Sequence, residues 1–256
     1  MLQSHPTQKL GRRPARHDRR TLMLSRYLTP GDAAQLPPVA SSVRWTAAVD
    51  TWPMHLNDQI GCCTIASAAH LVQAWRANAK HEDHRMSDDS VLHAYRHVSG
   101  YTDGDPSTDT GAVALDVLKH WRKTGIGGHR VGAFVGVSTQ SRTMVMEAVH
   151  LFGGLYAGLS LPMSAQEQRV WDVMPGSTRW TAPGSWGGHA VAVLDYDWRG
   201  LTCITWGALK RMTWSFFKLY CEEAYALLSN DFIEAAHAPN GFDVATLRRD
   251  LTLLAA

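Results

Sequence analysis

The hydrophobic period of this chain changes near residue 130, and that switch limits its possible folds more than any other feature. After Cys63, apolar residues recur at Ile65, Ala69, Val72, Trp75 and Ala79, the spacing of a helix face. "MSDDSVLHAYRHV" predicts a second helix capped by Ser87. "AVALDVLKHWRKTGIGG" predicts a third, with Leu115, Leu118 and Trp121 on one face and Gly125 as its stop. Beyond residue 130, "RVGAFVGV", "GGLYAGLSL", "GHAVAVLDYD" and "LTCITWG" read as strands. One helix, Thr143 to Phe152, and a long Pro/Gly/Trp loop over 162–187 interrupt them. "WSFFKLYCEEAYALLSNDF" returns to helical spacing. The order is a helical half, a sheet half and a helical tail, an α+β chain of 256 residues forming one large domain or two closely packed lobes.

Charge is close to balanced overall, at +2, so the whole molecule has no pull toward nucleic acid. Its distribution is uneven. Lys9, Arg12, Arg13, Arg16, Arg19, Arg20 and Arg26 face the single acid Asp18 in the first 26 residues. This stretch has no sustained periodicity, so residues 1–35 are expected to be a basic arm, solvated on the surface and contributing little to folding. No apolar run follows these charges, and nothing is long enough to span a bilayer. Cys62, Cys63, Cys203 and Cys221 fit neither a disulfide framework nor a CxxC zinc pattern. Adjacent cysteines are poorly placed to pair with each other. A reduced, cytoplasmic setting is the expectation.

Two adjacent cysteines in "LNDQIGCCTIASAAH" pose the functional question, because a buried structural role competes with a nucleophilic one. Cys63 falls on the first turn of the helix, where free N–H groups and the dipole favour a thiolate. Gly61 permits close approach of a substrate backbone. A thiol nucleophile also needs a base, and His189 in "GSWGGHAVAVLDYD" has two glycines beside it and a strand behind it. The other candidates read as structure. His70, two turns beyond Cys63, is a core or cleft-floor residue; "KHEDHR" is a solvated turn rather than a metal site; Cys203 and Cys221 belong to the core. Trp206 shields His189 or simply packs there.

Taken in order, residues 36–207 resemble the papain-like cysteine peptidase superfamily. "LPPVASSVRWTAAV" is similar to the family's extended lead-in, and Asn57-x5-Cys63 keeps its spacing from oxyanion amide to nucleophile. "MSDDSVL", "DTGAVALDVLKHWRKTGI", "GGHAVAVLDYD" and "ITWG" resemble, in turn, a helix start, the substrate-holding glycine segment, the histidine strand and the "NSWG" turn. The resemblance implies a papain-like two-lobe fold over 36–256: a helical lobe near 50–130, an antiparallel sheet lobe near 131–207, and C-terminal helices over 208–256. It implies Cys63 as nucleophile, His189 as base, and Asn57 with the Cys63 backbone N–H as oxyanion donors. Gly61, Gly111, Gly188 and Trp206 would line the substrate. No metal or organic cofactor is called for, and the partner is a peptide or amide substrate.

Three departures stand out. Asn57 replaces the family's glutamine. Ile204, which cannot bond an imidazole, falls where the family has its histidine-orienting asparagine; Thr205 is the replacement candidate, with Asp195 and Asp197 as alternatives. The family's disulfide cysteines and long propeptide are missing, so the basic arm would serve at most as a short occluding segment. The expected activity is thiol-dependent hydrolysis of peptide or amide bonds. The alternatives are acyl transfer or transpeptidation on the same dyad, and an inactive papain-like binding scaffold.

Overall fold

The computed structural model describes residues 8–26, 38–80, 82–176 and 178–230. The helical half holds α1 (Cys63–Lys80), α2 (Asp88–Ser99) and α3 (Ala114–Lys123). Helix α1 is buried almost all round through Trp75, so its polar residues Thr64, Ser67, His70 and Gln73 join the apolar stripe inside the protein. Ser87 caps α2, as its sequence predicts, by accepting from the Ser90 N–H at 3.2 Å, and Gly100 closes that helix in the left-handed conformation. Trp75 and Trp121 stack at 5.6 Å and join α1 to α3.

The sheet half contains β1 (Val43–Arg44), β2 (Val131–Gly136), β3 (Leu155–Leu161), β4 (Gly187–Tyr196), β5 (Gly200–Thr205), β6 (Ala208–Thr213) and β7 (Cys221–Ser229). All its pairings are antiparallel, in the spatial order β2-β7-β3-β4-β5-β6, with β1 on the end of β4. Strand β4 divides the core by its alternation. Ala190, Ala192 and Leu194 pack with Ile65, Ala69 and Val72 of α1. Val191 and Val193 pack with α4 (Arg142–Phe152) and α5 (Trp214–Tyr220) on the other side. The α+β expectation and the four strands and four helix starts read from periodicity match this architecture.

Two local readings need correction. Helical spacing over 214–232 holds only for α5; Cys221–Ser229 is a strand paired to both β2 and β3. "CEEAYALLS" suits either period, and the two free strand edges flanking it decide in favour of the sheet. The remaining C-terminal helix residues expected over 231–256 lie outside the described residues. The arm also differs from its expectation. Over residues 8–26 Arg13, Arg16, Arg19, Arg20 and Arg26 are exposed, as a solvated surface arm requires, but Arg12 and Leu24 are buried. Residues 1–7 and 27–35 of the arm lie outside the described residues.

Candidate active site

The site begins where α1 begins. Cys63 is its first residue, and the Cys63 sulfur accepts a hydrogen bond from the Ala190 N–H on β4 at 3.4 Å. Tyr156 of β3 donates to the Thr64 carbonyl at 2.9 Å, clamping this helix end to the sheet. The neighbouring thiol points elsewhere: Cys62 donates to the His55 carbonyl at 3.1 Å. Consecutive residues at a helix start diverge by about 100°, so only Cys63 is turned to β4.

His189 directly precedes Ala190 on that strand. Its Nε2 shares a 2.6 Å hydrogen bond with Thr205 Oγ1, while Nδ1 is buried and has no hydrogen-bond partner among the described residues. Ile204 is buried in the core opposite Ala192 and takes no part. Asp195 is also elsewhere, because a bulge between Val193 and Asp195 changes the register of β4 against β5, and its carboxylate accepts from the Thr46 N–H and hydroxyl. Asp197 accepts from Arg211 and from the turn N–H groups of Arg199 and Gly200. Trp206 stacks on the imidazole at 4.3 Å and 15°. Its φ of +46°, followed by Gly207 at +68°, makes the tight β5–β6 turn. A bulky residue in that region is strained, and here the strain places the indole over His189.

The expected substrate-lining residues surround a cleft, and the arm fills it. Asn57 Nδ2 and Trp206 Nε1 both donate to the Lys9 carbonyl, at 3.3 and 3.0 Å. The Gly11 and Arg12 N–H groups donate to the Gly188 carbonyl at 3.2 and 3.0 Å. Ala112 N–H donates to the Gly11 carbonyl and Arg13 N–H to the Ala112 carbonyl, at 2.8 and 2.9 Å. The backbones are too close for side chains: a methyl group on Gly11 would lie 1.7 Å from the Gly61 carbonyl oxygen, and one on Gly188 2.0 Å from that of Arg12. Asn57, Gly61, Gly111, Gly188 and Trp206 therefore meet one extended peptide next to Cys63.

Comparison with solved structures gives the same architecture. Xylellain, a cysteine protease from Xylella fastidiosa, superposes with a TM-score of 0.65 at 15% identity, over 89% of this chain and 98% of that one. Digestive procathepsin L 3 from Tenebrio molitor gives 0.54 at 13%, over 87% and 76%. The bromelain protease of Ananas comosus gives 0.52 at 14%, over 74% and 99%. The fold is papain-like. No protein-family model matches the sequence, and no curated protein does.

Within this papain-like frame, burial sets the electrostatics. Burial raises the Cys63 thiol pKa to about 11, against opposing help from the Ala190 and Gly11 N–H groups and the Arg12 charge. Sequence reasoning expects the opposite direction at a helix N-terminus. Burial makes the difference, since Cys63 is 1% exposed and its desolvation outweighs the helix end. Burial, reinforced by Arg12, also lowers His189 to about 3. Burial thus favours the neutral form of both the Cys63 thiol and the His189 imidazole.

Several positioning residues carry little sequence signal. The Asp109 carboxylate accepts from Gly61 N–H at 3.0 Å and from the Tyr95 hydroxyl at 2.6 Å, and Tyr95 in turn accepts from Gly111 N–H at 3.0 Å. This chain of bonds ties the two glycine walls together. Asp109 stands two residues before Gly111 in the quoted "DTG", its only local clue. Arg12 has none, because apart from the Arg13 carbonyl its partners lie about 150 to 210 residues away. His70 is a core residue as expected, bonded through Nε2 to the Pro53 carbonyl at 2.9 Å. No cluster of three metal-capable side chains occurs among the described residues.

Proposed function

We propose that the protein is a thiol-dependent hydrolase of peptide or amide bonds, held latent by residues 8–13 in its own cleft. One observation carries this reading: the strand that receives the Cys63 sulfur presents His189 at the preceding residue, with Thr205 on the far imidazole nitrogen. The Thr205 contact favours a catalytic site over an inert scaffold, because it fills the role that Ile204 cannot.

Once the arm leaves, water reaches the thiol and the imidazole, and the penalty on the charged pair falls. His189 takes the Cys63 proton on Nδ1. The thiolate attacks the substrate carbonyl, and the oxyanion is held by the Asn57 amide and the Cys63 backbone N–H. The imidazolium protonates the leaving amine as the C–N bond breaks, giving a thioester. Water, deprotonated by His189, adds to the thioester and releases the acid and the free thiol. The hydrogen bond from the Asn57 amide to the Lys9 carbonyl supports this role.

The test is a mass-spectrometric screen of peptides and amides with the wild-type chain, the Arg12→Ala chain and Cys63→Ala as control. Cleavage that depends on Cys63 and increases in Arg12→Ala is expected. An untreated Arg12→Ala chain that turns over nothing in the screen, although iodoacetamide fully alkylates Cys63 in a separate sample of it at neutral pH, refutes the reading. Transfer to an added amine in place of hydrolysis would move the assignment to acyl transfer.

A further inference from the structure

Arg12 enters the cleft floor and meets a built receptor. Its Nη1 donates to Glu223 Oε1 at 3.0 Å, and Nη2 to Glu222 Oε2 at 2.7 Å and Ser160 Oγ at 3.1 Å; Nε donates to the Leu159 carbonyl at 3.3 Å. The guanidinium is thus bonded on all three nitrogens, while Arg12 as a whole is only 5% exposed. A planar, forked donor set is what such an arrangement selects, and a lone ammonium matches it less well.

The receptor does not depend on the arm for its shape. Consecutive strand residues ordinarily face opposite sides, yet Glu222 and Glu223 both reach Arg12. A register shift makes this possible: Gly158 pairs with Glu223 and Leu159 with Cys221, so Glu222 is the extra residue of a bulge. Both carboxylates are held from behind, Glu223 by the Tyr225 hydroxyl at 2.9 Å and Glu222 by the Ser160 hydroxyl. Gly158 leaves the floor open, since a methyl group there would lie 2.7 Å from both Arg12 Cδ and Glu223 Cγ. The site also adjoins the chemistry, because the Arg12 N–H bonds to Gly188, the residue before His189.

We infer that Glu222, Glu223 and Ser160 form a specificity subsite for an arginine side chain of the substrate, and that Arg12 occupies it in the latent protein. The inference rests on the hydrolase reading for its substrate, but the subsite itself is a matter of binding. Peptides carrying arginine at the position that reaches this pocket are the substrates selected, and those carrying leucine or glutamate there are rejected. An acidic residue would bring a third carboxylate to a place already holding two.

The experiment uses the full chain as Arg12→Ala, and as Arg12→Ala with Glu223→Gln. Methylguanidinium at ten times its dissociation constant should raise the melting temperature of the first by about 3 °C or more. It should raise neither wild type, whose pocket is filled, nor the double variant. In a positional-scanning peptide library, Arg12→Ala should prefer arginine to leucine at one position by about tenfold or more, and Glu223→Gln should reduce that preference to near parity. If Arg12→Ala does not fold, Arg12→Gln keeps most of the stem and serves both measurements. Absence of the methylguanidinium shift, or cleavage with no basic preference at any position, overturns the subsite. A shift without any cleavage keeps the subsite and rejects the hydrolase reading instead.

Discussion

Replacing Arg12 by alanine separates the arm's grip from the stability of the domain. The substitution removes two charged and three neutral hydrogen bonds and leaves the Glu223 carboxylate, 6% exposed, without its counter-ion. Breaking a buried ion pair by removing one partner costs about 3–5 kcal/mol, and the Glu223 half falls in that class. The Glu222 half adds little, about 0–1 kcal/mol, because that side chain is 43% exposed and is screened by water. The loss falls on the closed arrangement of the arm, so the arm-open population should rise by roughly two to three and a half orders of magnitude. Cys63 is reachable only when the arm is out, and its alkylation rate tracks that population when reclosing is fast. In pulsed iodoacetamide labelling at neutral pH, read by mass spectrometry, Cys63 should react at least about a hundredfold faster in Arg12→Ala than in wild type. Cys203 and Cys221, buried in the sheet core, should keep their wild-type rates. Equal acceleration of all the cysteines would mean that Arg12 supports the whole fold. No acceleration of Cys63 would mean that the buried pair does not hold the arm, and either result refutes the argument.

Gly11→Ala tests the same latch without touching the ion pairs: with a methyl 1.7 Å from the Gly61 oxygen, Cys63 labelling should again rise selectively. Thr205→Val removes the hydroxyl bonded to His189 Nε2, and kcat of the released enzyme should drop about ten- to a hundredfold with a displaced pH profile, whereas an unmoved profile would deny Thr205 its positioning role. Cys62→Ala should keep turnover and Cys63→Ala abolish it; the reverse pattern would move the nucleophile by one residue. Burial depresses His55, His70 and His189 to about 4, 3 and 3, so below their unfolded pKa near 6.5 the unfolded chain binds more protons than the native one. Stability should be greatest above pH 6.5 and fall as the pH drops through 4 toward 3, each histidine contributing up to about 1.4 kcal/mol per pH unit. Urea denaturation midpoints that stay level between pH 7 and 4.5 would show that these rings are not held neutral.

What the sequence alone determined lies within a few residues of itself. Helix starts at Cys63, Ser87 and Thr143, the buried run of β4 with His189 at its head, and the Trp206–Gly207 turn are written in local periods, caps and turn residues. Those features also carried the papain-like order of Asn57, Cys63 and His189, and left Thr205 as one of three candidates. The tertiary structure chose Thr205, because a bulge in β4 turned Asp195 to Thr46 instead. It made 221–229 a strand, since two sheet edges offered hydrogen bonds that a helix period cannot reveal. It also drew Arg12 of the basic arm out of solvent. Arg12 reads as one more solvated charge until a bulge more than 200 residues away aims two carboxylates at it. Local patterns record what a residue's neighbours in sequence require; a pocket made from both ends of a chain exists only after folding has brought those ends together.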